Sequence, residues 1–169
     1  MEAARAAFAE AGAELPMEEI ARRAGVGIGT VYRHFPNKEA LLDALLAEQL
    51  HTFLERTRAA LARDDPWEAF RDMVRDGASA QAEDMAYCEL VMSRKALSRS
   101  EAVAALRAEL DEETNKLLAR AKAAGAMRED FTRDDLPVLF ASIAGAIRSS
   151  GSPDAWKRQV EFALDGLRA

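Results

Sequence analysis

Apolar positions recur at helical spacing along nearly the whole chain, and capping residues stand at the breaks between the stripes. Residues 2–11 form one amphipathic segment anchored on Phe8 and closed by Gly12. A second segment, residues 17–24, carries Ile20, Ala21 and Ala24 on one face. Gly25 stops it, because glycine takes a left-handed conformation without penalty. Val26 is expected to fill the turn that follows as an apolar plug. Residues 28–34 then make about two helical turns, with Val31 and Phe35 inward at i, i+4 and Thr30, Tyr32, Arg33 and His34 outward.

The remainder divides as clearly. Asn37 is a good cap for a fourth helix running toward residue 63, with an inward stripe of Leu42, Leu45, Leu46, Gln49, Leu50 and Phe53. That helix is the expected mechanical link between two domains, residues 1–46 and 47–169. Asp65-Pro66-Trp67-Glu68 opens a fifth helix, with Trp67, Phe70, Met73 and Val74 on one side. A shorter segment over residues 84–96 holds Met85, Tyr87 and Met92. Ser98-x-x-Glu101 is a capping box for a long helix with Val103, Leu106, Leu110, Leu117 and Ala121 inward and Gly125 at its end. Thr132-x-x-Asp135 opens the next helix, and Ser152-Pro153 the last. The pattern predicts an all-α chain of about nine helices.

Two groups of apolar residues invite a functional reading. The last two helices carry the stripes Leu136, Leu139, Phe140, Ile143, Ile147 and Trp156, Val160, Ala163, Leu164, Leu167, beside a small-residue ridge of Ala141 and Gly145. Two such helices from each of two copies would build a four-helix bundle across a two-fold axis. Trp67, Phe70, Met73, Met85, Tyr87 and Met92 are candidates to line a pocket for an apolar or aromatic molecule, since methionines adapt and aromatics supply area. The same residues would also serve as ordinary core.

Composition narrows the classes. With 49% hydrophobic residues, 9 Gly and 5 Pro in 169, the chain suits helices nearly throughout. No apolar run approaches the ~20 residues of a membrane span. The amphipathic start is not a secretory signal, and the single Cys88, read as a small apolar filler, cannot form an internal disulfide, so a cytoplasmic location is expected. No glycine-rich phosphate loop, metal-ligand cluster or nucleophile–base pairing stands out, so no catalysis, cofactor or metal is expected. The formal net charge is -6, yet residues 20–38 hold Arg22, Arg23, Arg33 and Lys38 and no acid. A local basic island is enough for DNA phosphate, and the acidic remainder limits unspecific adhesion. A short helix presenting a hydroxyl, a phenol, a guanidinium and an imidazole suits the major groove.

The run Ile20-Ala21-x-x-Ala24-Gly25-Val26-Gly27-x-Gly29-Thr30-Val31-Tyr32-Arg33-His34-Phe35-Pro36-x-Lys38-Glu39-Ala40-Leu41-Leu42 closely resembles the DNA-binding headpiece of TetR-type transcriptional regulators. The likeness extends over residues 8–46. It implies a homodimer with a helix-turn-helix headpiece and a ligand-binding and dimerisation domain, a repressor released from a palindromic operator by a small molecule. It further implies that Thr30, Tyr32 and Arg33 face the groove, with Gly27 and Ile28 at the start of the recognition helix. Arg33 is then the expected guanine contact, Tyr32, His34 and Lys38 the phosphate contacts, and Gly29 a point of close approach to DNA. Arg22 belongs to the same basic surface. Three departures stand out. Relatives usually carry a longer, basic N-terminal arm where this chain opens Met1-Glu2; Pro16 replaces a capping Thr or Ser; and Gly27 and Ile28 replace Ser and Lys. A DNA-binding dimer that senses no small molecule, or that answers to a protein partner, remains the alternative.

Overall fold

The computed structural model describes residues 1–11, 14–85, 88, 98, 100–149 and 154–169. Among them are eight α-helices and no strand: α1 (Glu2–Ala11), α2 (Met17–Ala24), α3 (Ile28–His34), α4 (Lys38–Leu61), α5 (Pro66–Glu83), α6 (Glu101–Ala123), α7 (Leu136–Ser149) and α8 (Ala155–Leu167). Gly12, Tyr87, Met92, Ser152, Pro153 and most of the segment 84–96 lie outside the described residues. The chain forms two compact units, Met1–His51 with Asp84–Leu106, and Thr52–Glu83 with Arg107–Ala169. Residues 84–106, placed by sequence in the second domain, therefore fall in the first unit. One physical reason is an ion pair from Arg5 Nε on α1 to Asp84 Oδ2 at 3.1 Å.

In the first unit α1 packs on α2 and α2 on α3. Phe8 is completely buried, and Met17, Ile20, Ala21, Val31, Leu41, Leu42, Leu45 and Leu46 are buried in the same unit. Gly25 ends α2 at φ 67°, and the N–H groups of Gly25 and Val26 return to the carbonyls of Arg22 and Ala21. The backbone closes this turn without a plug. Val26 accordingly stays 43% exposed, contrary to the expectation from its apolar character, and Ala24 is exposed too. The Asn37 cap is present: its Oδ1 accepts the Ala40 N–H at 2.8 Å.

The second unit is built around α5, on which both α7 and α8 pack. Asp65 Oδ1 accepts the N–H groups of Trp67 and Glu68 at 2.8 and 3.0 Å, starting α5 as its sequence demands. Arg120 donates to the carbonyls of Leu61 and Arg63 and so closes the C-terminal end of α4. Phe70 sits at the centre, its ring 5.9 Å from Trp67 and 5.9 Å, edge-on, from Phe131. The start of α6 is capped two residues later than expected, because the Val103 N–H goes to Ser100 Oγ. Thr132 and Asp135 form the predicted capping box, although the first turn after it is a tight 3-10 turn, Arg133–Asp135. Gly125, at φ 63°, follows α6. Beyond it, Met127 bridges Arg168, so the end of α8 is tied to this turn by backbone.

The stripes on α7 and α8 are mostly inward. Ile143, Val160 and Leu164 are buried in the chain's own core, and Leu136, Phe140, Ile147, Trp156, Ala163 and Leu167 pack against it. Phe140 lies over Gly77 so closely that a Cβ there would come within 2.8 Å of its ring. Within the one chain these residues pack against α5 and its neighbours, several of them only partly covered. The face left outside holds Ala141, Val138 at 69% and Phe162 at 61% exposure, and half-exposed Gly145, beside which a Cβ would meet no atom within 4 Å.

The pocket candidates are likewise divided. Trp67 and Phe70 are buried core, with the Arg168 guanidinium 5.0 Å above the Trp67 ring, and Met73 packs against that core. Met85, half-buried, belongs to the other unit. No described helix is long and apolar enough to cross a membrane.

Candidate nucleic-acid interface

A seven-residue helix can hide little of itself, and α3 buries Val31 alone. Ile28, Gly29, Tyr32, Arg33 and His34 are exposed, and Thr30 half so. The helix is anchored at one end by Gly27, whose carbonyl accepts the Thr30 N–H at 2.9 Å, and at the other by the Phe35 N–H on the Val31 carbonyl at 2.8 Å. A Cβ at Gly27 or Gly29 would meet no protein atom within 4 Å, so the fold itself accepts a side chain at either place. Beside α3, the start of α1 and the end of α2 border an open apolar cleft of about 420 Å³ lined by Met1, Ala4, Ile20, Val26, Val31 and Phe35, with Thr30 and His34 at its edge.

The cations of this surface are of two kinds. Arg33 and Lys38 make no hydrogen bond or ion pair with any described residue. Arg22 and Arg23 are both held by Glu19. Arg22 donates from Nε and Nη2 to the two Glu19 oxygens, each at 2.7 Å. Arg23 donates from Nε to Glu19 Oε1 at 2.8 Å and from Nη1 to Glu10 Oε2 at 2.5 Å. Hydrogen bonds from the two guanidiniums, Arg22 first, pull the Glu19 carboxyl down to about 2. The basic island read from residues 20–38 is therefore half neutralised, by Glu19 just before that window and by Glu10 on α1. Residues 1–46 as a whole carry five basic side chains (Arg5, Arg22, Arg23, Arg33, Lys38) against seven acidic ones.

Comparison with known proteins bears on the same architecture. Residues 1–45 match the family of bacterial regulatory proteins of the tetR type, and residues 65–169 match the C-terminal domain of SbtR-like transcriptional regulators. The chain belongs to the TetR family. It is a DNA-binding transcriptional regulator with an N-terminal helix-turn-helix and a C-terminal helical domain. A TetR transcription regulatory protein from Mycobacterium vanbaalenii is 34% identical over 99% of this chain and 92% of its own, with a TM-score of 0.66. A TetR regulator from Streptomyces coelicolor is 30% identical over 99% and 95%, with a TM-score of 0.65. The HTH-type transcriptional repressor KstR of Mycolicibacterium smegmatis is 41% identical over 59 residues, which cover 34% of this chain and only 29% of KstR.

Within this TetR-family chain, α2, the Gly25 turn and α3 are the helix-turn-helix. The sequence located α3 and its outward residues. It passed over Glu19, three and four residues before the two arginines, a spacing at which helical side chains meet. Glu10, 13 residues from Arg23, could be found only from the packing of α1 on α2.

Proposed function

We propose that this regulator acts in the cytoplasm as a homodimeric repressor, reading a palindromic operator through α3 of each copy. The observation that carries the reading is the pair of cations without a partner among the described residues, Arg33 on α3 and Lys38 just after it, on a helix that leaves five of its seven residues exposed. Arg33 contacts a guanine edge; Tyr32, His34 and Lys38 hold phosphates; Thr30 and Ile28 face the groove; Gly27 and Gly29 let the backbone approach. Two copies associate through the outward face of α7 and α8, where Val138, Ala141, Gly145 and Phe162 lie. Exposed large apolar groups on neighbouring helices support that choice, and the two-fold axis sets half-sites ~34 Å apart.

The test is selection of bound duplex from a random pool by the full chain. An inverted repeat is the expected product; absence of any enriched sequence overturns the reading. Arg33→Ala should then lose discrimination at one base pair per half-site, by about 1–3 kcal/mol. Equal weakening on all sequences would make Arg33 a phosphate contact.

Release of the operator by a small, largely apolar effector in the second unit is the natural completion of this function. Its test is a screen of apolar small molecules for loss of operator binding. A second reading, regulation without a small molecule or through a protein partner, is favoured by one observation: Trp67 and Phe70 are packed in the core and would have to move before touching a ligand.

A further inference from the structure

We propose that Glu19 is a specificity-determining residue for DNA binding, withholding the charge of Arg22 and Arg23 from the phosphate backbone so that binding depends on α3. The geometry is a three-way clamp. The Nε/Nη2 edge of Arg22 is already on one carboxylate, at 2.7 Å for each bond. Arg23 is shared between Glu19 at 2.8 Å and Glu10 at 2.5 Å. All four residues belong to the α1–α2 pair that leads through Gly25 into the recognition helix.

The consequence follows from how proteins bind duplex DNA. Each phosphate neutralised adds affinity for every sequence alike, together with a salt dependence of about 0.9 in log–log slope. Base contacts alone distinguish sequences. Arg22 is largely exposed, its side chain at 72%, and would be an efficient phosphate ligand if free. Paired as it is, it brings the Glu19 carboxylate to the phosphates along with its own charge, and to act as a full cation it must break a bidentate, charge-assisted pair. Binding to arbitrary DNA is thereby held down, while contacts made by Arg33 are untouched. The acidic excess over residues 1–46 acts in the same direction at longer range.

This inference rests on DNA binding by the headpiece, not on the existence of a palindromic operator. The experiment compares the full-length protein with Glu19→Gln on a random-sequence duplex and on the selected operator, from about 50 to about 200 mM KCl. Glu19→Gln should bind the random duplex several-fold more tightly, with a slope steeper by about 0.9 per protomer, and the operator-to-random ratio should fall. Glu18→Gln makes the same change of charge one residue away and should leave the slope as it was. Adding Arg22→Ala to Glu19→Gln should return the slope to the starting value. Glu10→Gln, which frees one side of Arg23, should give a smaller change in the same direction, and melting by circular dichroism checks that each variant is folded. An unchanged slope in both Glu19→Gln and Glu10→Gln overturns the proposal, as does an equal slope change in Glu18→Gln or a gain that survives removal of Arg22. If no operator is recovered, the operator reading fails alone, because the random-duplex slopes are still measured.

Discussion

The recognition helix and the α7–α8 pair use their side chains in opposite ways. α3 directs one residue, Val31, into the protein and leaves most of the rest to the surroundings. α7 and α8 turn Leu139, Ile143, Ala144, Val160 and Leu164 into the chain's own core and leave Val138, Ala141 and Phe162 exposed, with Gly145 half so. A short helix held at both ends by backbone hydrogen bonds needs little apolar anchorage, so its chemistry can be external. A helix pair that completes a core has a broad stripe already committed. An apolar stripe in a sequence therefore points first to the nearest core, and association has to be sought on the residues left over.

The largest effect should come from the centre of the core. Phe70→Ala should cost about 3–5 kcal/mol in urea unfolding, by deleting a ring that touches Trp67 and Phe131. A cost near zero would mean that the second unit is not organised around α5. The inside–outside division of α7 and α8 is tested by a pair of changes. Ile143→Ala should lose about 2–5 kcal/mol of stability. Phe162→Ser should change the unfolding of the isolated chain by less than about 0.5 kcal/mol, yet push sedimentation toward monomer. If Phe162→Ser unfolds the chain and leaves association intact, the two faces are reversed.

Smaller effects test the headpiece. Asn37→Ala removes the acceptor of the Ala40 N–H and should cost about 1 kcal/mol, with Asn37→Asp largely retaining the stability. The smallest signal is the titration of Glu19, followed by carboxyl NMR. Its folded value lies at about 2, below the ordinary 4.5. A depressed carboxyl contributes stability that is present above the ordinary value and lost as pH falls toward the folded one. The clamp on Arg22 and Arg23 should thus persist unchanged from neutral pH down to about 4.5 and loosen only toward 2. A midpoint near 4.5 would mean that the arginines are free in solution.

Much of the fold was legible because the rules that start and stop helices act over three or four residues. Gly25, Asn37, Asp65, Gly125 and the Thr132–Asp135 box do what their types and spacing imply. The outward residues of α3 were legible for the same reason, since seven residues with a single inward valine admit only one orientation. The grip of Glu19 on Arg22 and Arg23 is also local, and a charge count that begins at Ile20 steps over it. Other features were decided by the tertiary structure alone. The exposure of Val26 depends on the backbone closing the Gly25 turn without a plug. Glu10 reaches Arg23 only because α1 lies on α2. Which face of α7 and α8 is left free depends on where α5 packs, and Phe140 closes over Gly77 from a position 63 residues further along the chain. Helix periodicity specifies that a face is apolar; only the partner that arrives first determines what that face is for.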